Sequence, residues 1–257
     1  MISNGVYRPA PREDAVFRIF CLPFAGGGAT AFRLWPAGLP AEVDVIALQL
    51  PGRGTRLREA PLRRLSDMVD LALSEFEPHL DRPFALFGHS MGALFARELA
   101  GRLAARGQPP AHLFVSARST QLKRNLPLLY KMPDDRFLTE VDKRYQGIPA
   151  QLWAERDMLE LLLPALRADV EALETYERDP HAPPLSCRIS VYGGSRDLSV
   201  TREDLEAWKT ETVASCRVRV FEGDHFFLEP QRALVLADIG EMLAPHLSGT
   251  ARRERLP

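Results

Sequence analysis

Six runs of the chain read as β-strands: VFRIFCLPF (16–24), VDVIALQLPG (43–52), FALFGHS (84–90), HLFVSAR (112–118), CRISVYGG (187–194) and RVRVFEGD (217–224). Several are apolar on both faces instead of alternating, as expected of parallel strands covered on both sides. Helical spacing falls between them. LSDMVDLALSEFEPHL places Met68, Leu71, Ala72 and Phe76 on one stripe, and MGALFARELAGRLAARG ends at the helix-stopping Gly107. Strands alternating with helices describe a doubly wound α/β sheet.

The alternation stops after the fourth strand. From Leu122 to Pro184 no good strand appears, whereas DDRFLTEVDKRYQ and AQLWAERDMLELLLPALRADVEALETYERD carry helical spacing, with Pro149 and Pro164 expected to interrupt them. Such an insertion is too long for a connecting loop and too short for an independent domain. It is expected to be a lid on a single domain spanning 1–257, with a static cover over one face of the sheet as the alternative. The polar end, SGTARRERLP, is expected to fray.

Composition narrows the class without naming it. In 257 residues, 46% are hydrophobic and 26% charged, with a formal net charge of −1, so nothing global favours nucleic acid or an anionic membrane. The first residues, MISNGVYRPAPREDAVF, lack the apolar stretch of a secretory signal, and no run approaches transmembrane length. Cys21, Cys187 and Cys216 are odd in number and widely spaced, which suits buried free thiols of a cytoplasmic protein better than disulfides or a zinc site.

Candidate chemistry gathers at the strand ends. FGHSMG brackets Ser90 between Gly88 and Gly92 at a strand-to-helix junction, the Gly-x-Ser-x-Gly pattern that exposes a nucleophile on a sharp turn. A serine needs a base. Of six histidines, His79 and His246 fall in helical patterns and are expected at the surface, while His112 opens a strand and His181 lies in a proline-rich loop. His89 sits inside the elbow with its side chain expected to point away from Ser90. His225 follows the last strand in VFEGDHFFLEP, where Gly223 and Asp224 permit a turn and Phe226 and Phe227 can pack beneath an imidazole. Asp197, just beyond the fifth strand in YGGSRDLSV, completes the order Ser, Asp, His of α/β-hydrolases. An oxyanion hole would use the backbone amide of Met91 and one from Phe24 or Ala25, where LPFAGGGAT turns through Gly26, Gly27 and Gly28. The same glycines could cradle phosphate, but no Gly-Lys-Ser/Thr follows them.

At this point the chain resembles the type II thioesterases of polyketide and nonribosomal peptide synthesis. The likeness runs through LPFAGGGATAFRLWP, QLPGRGTR, FGHSMGALFARELA, LFVSARST, GIPAQL, LLLPALRADVEALETY, DLEAWKTET and VRVFEGDHFFL. Departures from the family pattern are Phe24 for His, Ala117 for Gly and Arg188 for Pro. The resemblance implies an α/β-hydrolase fold with a helical lid. It further implies hydrolysis of acyl groups from the phosphopantetheine arm of an acyl or peptidyl carrier protein, with neither metal nor organic cofactor. Because such carriers are acidic in the family, arginines at the site mouth would steer docking. The candidates are Arg53 and Arg56, with Arg58, Arg63 and Arg64 nearby, and Arg124, with Arg118 and Lys123 nearby. Another esterase, a chain-releasing cyclase or a non-catalytic carrier-binding protein are the competing readings.

Overall fold

A computed structural model describes residues 2–3, 5–120, 127–145 and 153–248. Its sheet has eight strands: β1 (Ile2–Ser3), β2 (Val6–Tyr7), β3 (Phe17–Leu22), β4 (Val43–Leu48), β5 (Phe84–His89), β6 (His112–Ser116), β7 (Arg188–Gly194) and β8 (Cys216–Phe221). The order is β1-β2-β4-β3-β5-β6-β7-β8, with β3 to β8 mutually parallel and β1 and β2 antiparallel. All six expected strands are present, several ending earlier than the apolar runs. β3 stops before Pro23, which has no N–H to give the ladder. The amino-terminal hairpin was not expected from the sequence; it extends the edge through Val6 opposite Leu48.

Every residue of β3, β4, β5 and β6 is buried, which accounts for their continuous apolar text. Parity still sorts the side chains. Phe20 and Leu22 of β3 join the core beneath helices α1 (Leu65–Phe76) and α2 (Met91–Ala105), while Phe17, Ile19 and Cys21 face Ile239 and Leu243 of the carboxy-terminal helix Arg232–Ser248. Gly107, at φ 76°, ends α2 as its sequence predicts. The cysteines are free, with Cys21 and Cys187 buried and Cys216 half-buried. No helix among the described residues is long and apolar enough to cross a membrane.

Between β6 and β7 the chain forms α3 (Asp134–Tyr145) and α4 (Arg156–Glu174), followed later by the short α5 (Arg202–Glu206) and the final helix, α6 (Arg232–Ser248). Contrary to expectation, Pro164 does not interrupt α4; it sits inside one 19-residue helix. A proline there removes only one helical hydrogen bond, at a cost of about 3 kcal/mol. Leu159, Ala165, Ala168, Val170 and Leu173 are buried to either side and offset it. Leu159 and Val170 of α4 pack with Phe137, Leu138 and Val141 of α3 as a small core of their own. Pro149, Lys123 and Arg124, the GIPAQL motif and nearly all of the polar tail lie outside the described residues.

The two helix-pattern histidines are half-buried, not superficial, because His79 lies against Arg18 and His246 packs on Phe17. His112 is buried between Phe114, on which its ring stacks at 4.2 Å, and Ser190, whose Oγ is 2.9 Å from Nε2. Burial, helped by the positive charges of His246 and Arg188, pushes its pKa down to about 3. The native state therefore keeps His112 neutral where the unfolded chain, with an ordinary value near ~6.5, takes up a proton.

Two outcomes follow from this packing. His112 stabilises in full above about pH 6.5, and that share is lost as pH falls from there toward its native value. His112→Gln should consequently flatten urea-denaturation stability against pH over this window, by up to ~1.4 kcal/mol per pH unit. The second concerns the tightest backbone approach. A Cβ on Gly92 would collide with the carbonyls of Leu22 and Pro23, and one on Gly88 with the Gly92 carbonyl. Since the obstacles are backbone, Gly92→Ala should cost at least the upper end of the ~1–3 kcal/mol typical of overpacking, read as a fall in the denaturation midpoint.

Candidate active site

The elbow grows out of the centre of the sheet. β5 ends at His89 and α2 begins at Met91, so Ser90 alone makes the turn, at φ 53° and ψ −113°. That conformation is strained for a residue with a Cβ. It is held by the Ser90 N–H donating to the Ser116 carbonyl at 2.8 Å and by the close approach of Gly88, Gly92 and the end of β3.

The loops after β7 and β8 are laced together before either reaches Ser90. Ser195 N–H donates to the Phe221 carbonyl at 2.8 Å and Arg196 N–H to the Gly223 carbonyl at 2.7 Å. Gly223, at φ 138°, provides the backbone freedom that the second loop needs. This lacing sets Asp197 Oδ2 2.8 Å from His225 Nδ1, and His225 Nε2 2.9 Å from Ser90 Oγ. Burial alone would raise the Asp197 pKa, but hydrogen bonds from His225 and Ser199 outweigh it and hold the carboxyl below its ordinary value. An ionised carboxylate only accepts, so Nδ1 carries the imidazole proton and Nε2 is left to accept from Ser90 Oγ–H.

Three neighbours of this chain were not anticipated. Ser199 donates to Asp197 Oδ1 through both N–H, at 2.8 Å, and Oγ, at 2.7 Å, and its Oγ lies 3.1 Å from His225 Nδ1. The Asp-x-Ser spacing of an Asx turn is the sequence signal for it. Tyr145, the last residue of α3, has its ring 5.2 Å from that of His225. No local motif marks that tyrosine. His89 is closer to the site than expected, its ring 5.3 Å from His225 and its Nδ1 3.0 Å from Ser116 Oγ. Burial first, then the neighbouring His225, pushes its pKa well down, so it is a neutral packing partner. Phe226 makes an edge contact with His225 at 5.2 Å, whereas Phe227 stacks on Phe221 and packs against His89.

The glycine turn faces Ser90. Gly27 N–H donates to the Phe24 carbonyl at 2.9 Å, and Gly26 takes φ 75°. Phe24 and Ala25 border the same cavity as Ser90, and Met91 opens α2, whose first amides have no partner within the helix. That cavity, of about 130 Å³, is also bordered by His225 and Phe226 and is closed by side chains of α3 and α4, including Leu138, Val141, Leu159 and Leu163. A second cavity of about 410 Å³ meets it at His225, Tyr145, Val170 and Leu173 and is bordered by Ser199, Arg118, Arg144 and Glu174.

Two of the three arginine docking candidates, Arg53 and Arg56, do not contribute to the expected cationic mouth. Arg53 is buried, with its guanidinium on Asp169 at 2.5 and 2.8 Å, so it offers no docking surface. Its PGRG turn holds it inward. Arg56 is largely covered and paired with Glu59 at 2.8 and 2.6 Å, with Glu75 3.6 Å away. Arg63 and Arg64 are exposed but bridge Glu171 and Asp67. Arg124 lies outside the described residues.

Comparison with known proteins places the chain in a family. The thioesterase domain family matches residues 17–242. Gramicidin S biosynthesis protein GrsT of Aneurinibacillus migulanus is 39% identical over 216 residues, covering 83% of this chain and 84% of that protein. Among solved structures, the type II thioesterase BorB from the borrelidin biosynthetic cluster superposes with a TM-score of 0.86 at 32% identity, over 95% of this chain and 99% of BorB. The RedJ thioesterase of the prodiginine pathway in Streptomyces coelicolor gives 0.82 at 38% identity, over 91% and 89%. With the family match running from the first residue of β3 into the last helix, and the fold shared along nearly the whole length, the chain belongs to the thioesterase family and has its α/β-hydrolase fold.

Proposed function

We propose that the protein hydrolyses acyl thioesters from the phosphopantetheine arm of an acyl or peptidyl carrier protein, clearing stalled or aberrant chains from a polyketide or nonribosomal peptide assembly line. The observation that carries this reading is the hydrogen-bonded chain Asp197–His225–Ser90 where two cavities meet, one lined by leucines and the other also bordered by charged and hydroxyl side chains. Ser90 Oγ attacks the thioester carbonyl while His225 Nε2 takes its proton, and Asp197 holds the tautomer and stabilises the imidazolium. The amides of Met91 and of Phe24 or Ala25 receive the oxyanion. Collapse breaks the C–S bond, with His225 returning its proton to the leaving thiolate. Water then adds to the acyl-serine by the same route and releases the acid.

The two cavities suit different parts of the substrate. The leucine-lined chamber beside Ser90 suits an apolar acyl chain, which gains most by leaving water. The larger one runs from His225 past Ser199 toward Arg118, Arg144 and Glu174, where an amide-rich pantetheine arm finds hydrogen-bonding groups. Residues 122–184 serve as the lid in this reading, on the support of the α3–α4 core and its chamber-lining side chains. With Arg53 withdrawn and Arg56 neutralised, charge steering of the carrier has no support from those two arginines.

Two experiments test the proposal. A serine-directed phosphonate should label Ser90, and Ser90→Ala should lower turnover of an acyl-loaded carrier protein by about 10³-fold or more. Labelling elsewhere with activity retained ends the assignment, and preferential cleavage of oxygen esters makes the protein a general esterase. Leu163→Phe, by filling the chamber, should cut kcat/KM for long acyl thioesters by roughly tenfold or more while sparing acetyl thioesters, since each excluded methylene forfeits about 0.8 kcal/mol. An equal loss across chain lengths would place the acyl group outside this chamber.

A further inference from the structure

The glycine turn that borders Ser90 is tied to α4 by a charged bond. Gly26 N–H donates to Asp169 Oδ2 at 2.7 Å. The same oxygen accepts from Arg53 Nη1 at 2.5 Å, and Asp169 Oδ1 from Nη2 at 2.8 Å. Arg53 Nη1 also donates to the Gly27 carbonyl at 3.2 Å, so one ion pair holds two peptide groups of the turn, Ala25–Gly26 and Gly27–Gly28. Gln49 fastens the far side, accepting from Ala29 N–H at 3.1 Å and donating to the Arg53 carbonyl at 2.9 Å. The side chain of Asp169 is 0% exposed and that of Arg53 3%.

A buried pair of this kind is a weak source of stability, because desolvating two charges consumes most of their attraction and well-packed apolar residues often serve as well. Its geometry suggests another use. The Phe24–Gly27 hydrogen bond with Gly26 at φ 75° has the signature of a type II turn, in which the peptide joining the two central residues stands across the turn. Here that peptide joins Ala25 to Gly26, and its N–H is the group that Asp169 accepts from. The Ala25 N–H, one of the two candidate oxyanion donors, belongs to the preceding peptide, so a flip alone would not turn it; without the anchor, however, the Phe24–Gly27 turn is free to shift as a unit and carries that amide with it.

We propose that Asp169 is a positioning residue: from α4, and with Arg53 as its counter-ion, it fixes the Ala25–Gly26 peptide and thereby the oxyanion donor of the glycine turn. This rests on the serine-hydrolase reading above. It makes the seating of α4 and the assembly of the oxyanion site a single event, since the carboxylate that docks the helix is also the acceptor that sets the turn.

The test is the double variant Arg53→Met with Asp169→Leu, which removes both buried charges together and keeps the site apolar, beside Asp169→Asn, which retains an oxygen for Gly26 N–H. For each, kcat and KM on an acyl-pantetheine thioester and the rate of Ser90 phosphonylation are measured with the denaturation midpoint. The double variant should stay folded yet lose about tenfold or more in kcat, with KM little changed and phosphonylation slowed in step, because misplacing a donor harms the transition state more than binding. Asp169→Asn should fall between it and the native protein. A folded double variant with native kcat and native phosphonylation rate overturns the proposal and leaves the pair as a strut. Native protein that the phosphonate does not label at all overturns the serine-nucleophile reading, and this inference with it.

Discussion

The site depends on how closely three pieces of backbone approach at the elbow. Gly88, Gly92 and the carbonyls of Leu22 and Pro23 are near enough that no side chain fits between them. That contact does more than allow a sharp turn. It brings the end of β3, and with it Phe24 and Ala25, against the first turn of α2, where the Met91 amide lies. Nucleophile and candidate oxyanion donors are therefore located by one piece of packing. The strain at Ser90 is sustained by regular structure on both sides, β5 before and α2 after, with β3 and β6 hydrogen-bonded to β5 on its two edges.

Imidazole and carboxylate are located differently. β8 is the edge strand and is only partly buried, so the His225 loop takes little rigidity from the sheet. It takes it from the neighbouring loop instead. The hydrogen bonds of Ser195 and Arg196 to the β8 side, and the approach of Gly194 to the carbonyls of Gly223 and Asp224, make one unit of two loops. Ser199 then fills the second oxygen of Asp197, leaving Oδ2 to His225. A carboxylate satisfied in this way stays ionised although buried.

What the sequence disclosed, and what it hid, follows the range of the interactions concerned. Ser90, Asp197 and His225 were legible because each stands at the end of a strand whose apolar text is unmistakable, and strand order in a parallel sheet brings those ends to one side. The hairpin of β1 and β2 was not, since two-residue strands carry no period, although ISNGVY holds the Asn-Gly pair typical of hairpin turns. Arg53 was misjudged for a different reason. A charged residue in a glycine-flanked turn reads as exposed, and its partner Asp169 lies 116 residues away. Tyr145 likewise reaches His225 only through the placement of α3. Ala117 was noted as a departure from glycine, and the structure gives the departure a physical meaning. It takes φ 50° while fully buried, with its N–H on the Tyr192 carbonyl at 2.8 Å, so the turn persists although a methyl group makes it less comfortable.

The polar bonds of α4 are unevenly spread along it, and Pro164 marks the change. Beyond the proline, Arg167 donates to the carbonyls of Tyr130 and Met132, Asp169 takes Gly26 and Arg53, Glu171 bridges Arg63, and Glu174 accepts from the amides of Leu129 and Tyr130. Before it, Leu159, Leu162 and Leu163 face the chamber with α3, and the one ion pair among the described residues there, Arg156–Glu160, is internal to the helix. Apolar contacts tolerate sliding because they have no direction, whereas charged hydrogen bonds must be broken. If the chamber holds the acyl group as proposed, enlarging it for a bulkier one is thus easiest by displacing the amino-terminal half of α4. Its carboxy-terminal half keeps Asp169, and so the glycine turn, in place while the chamber adapts.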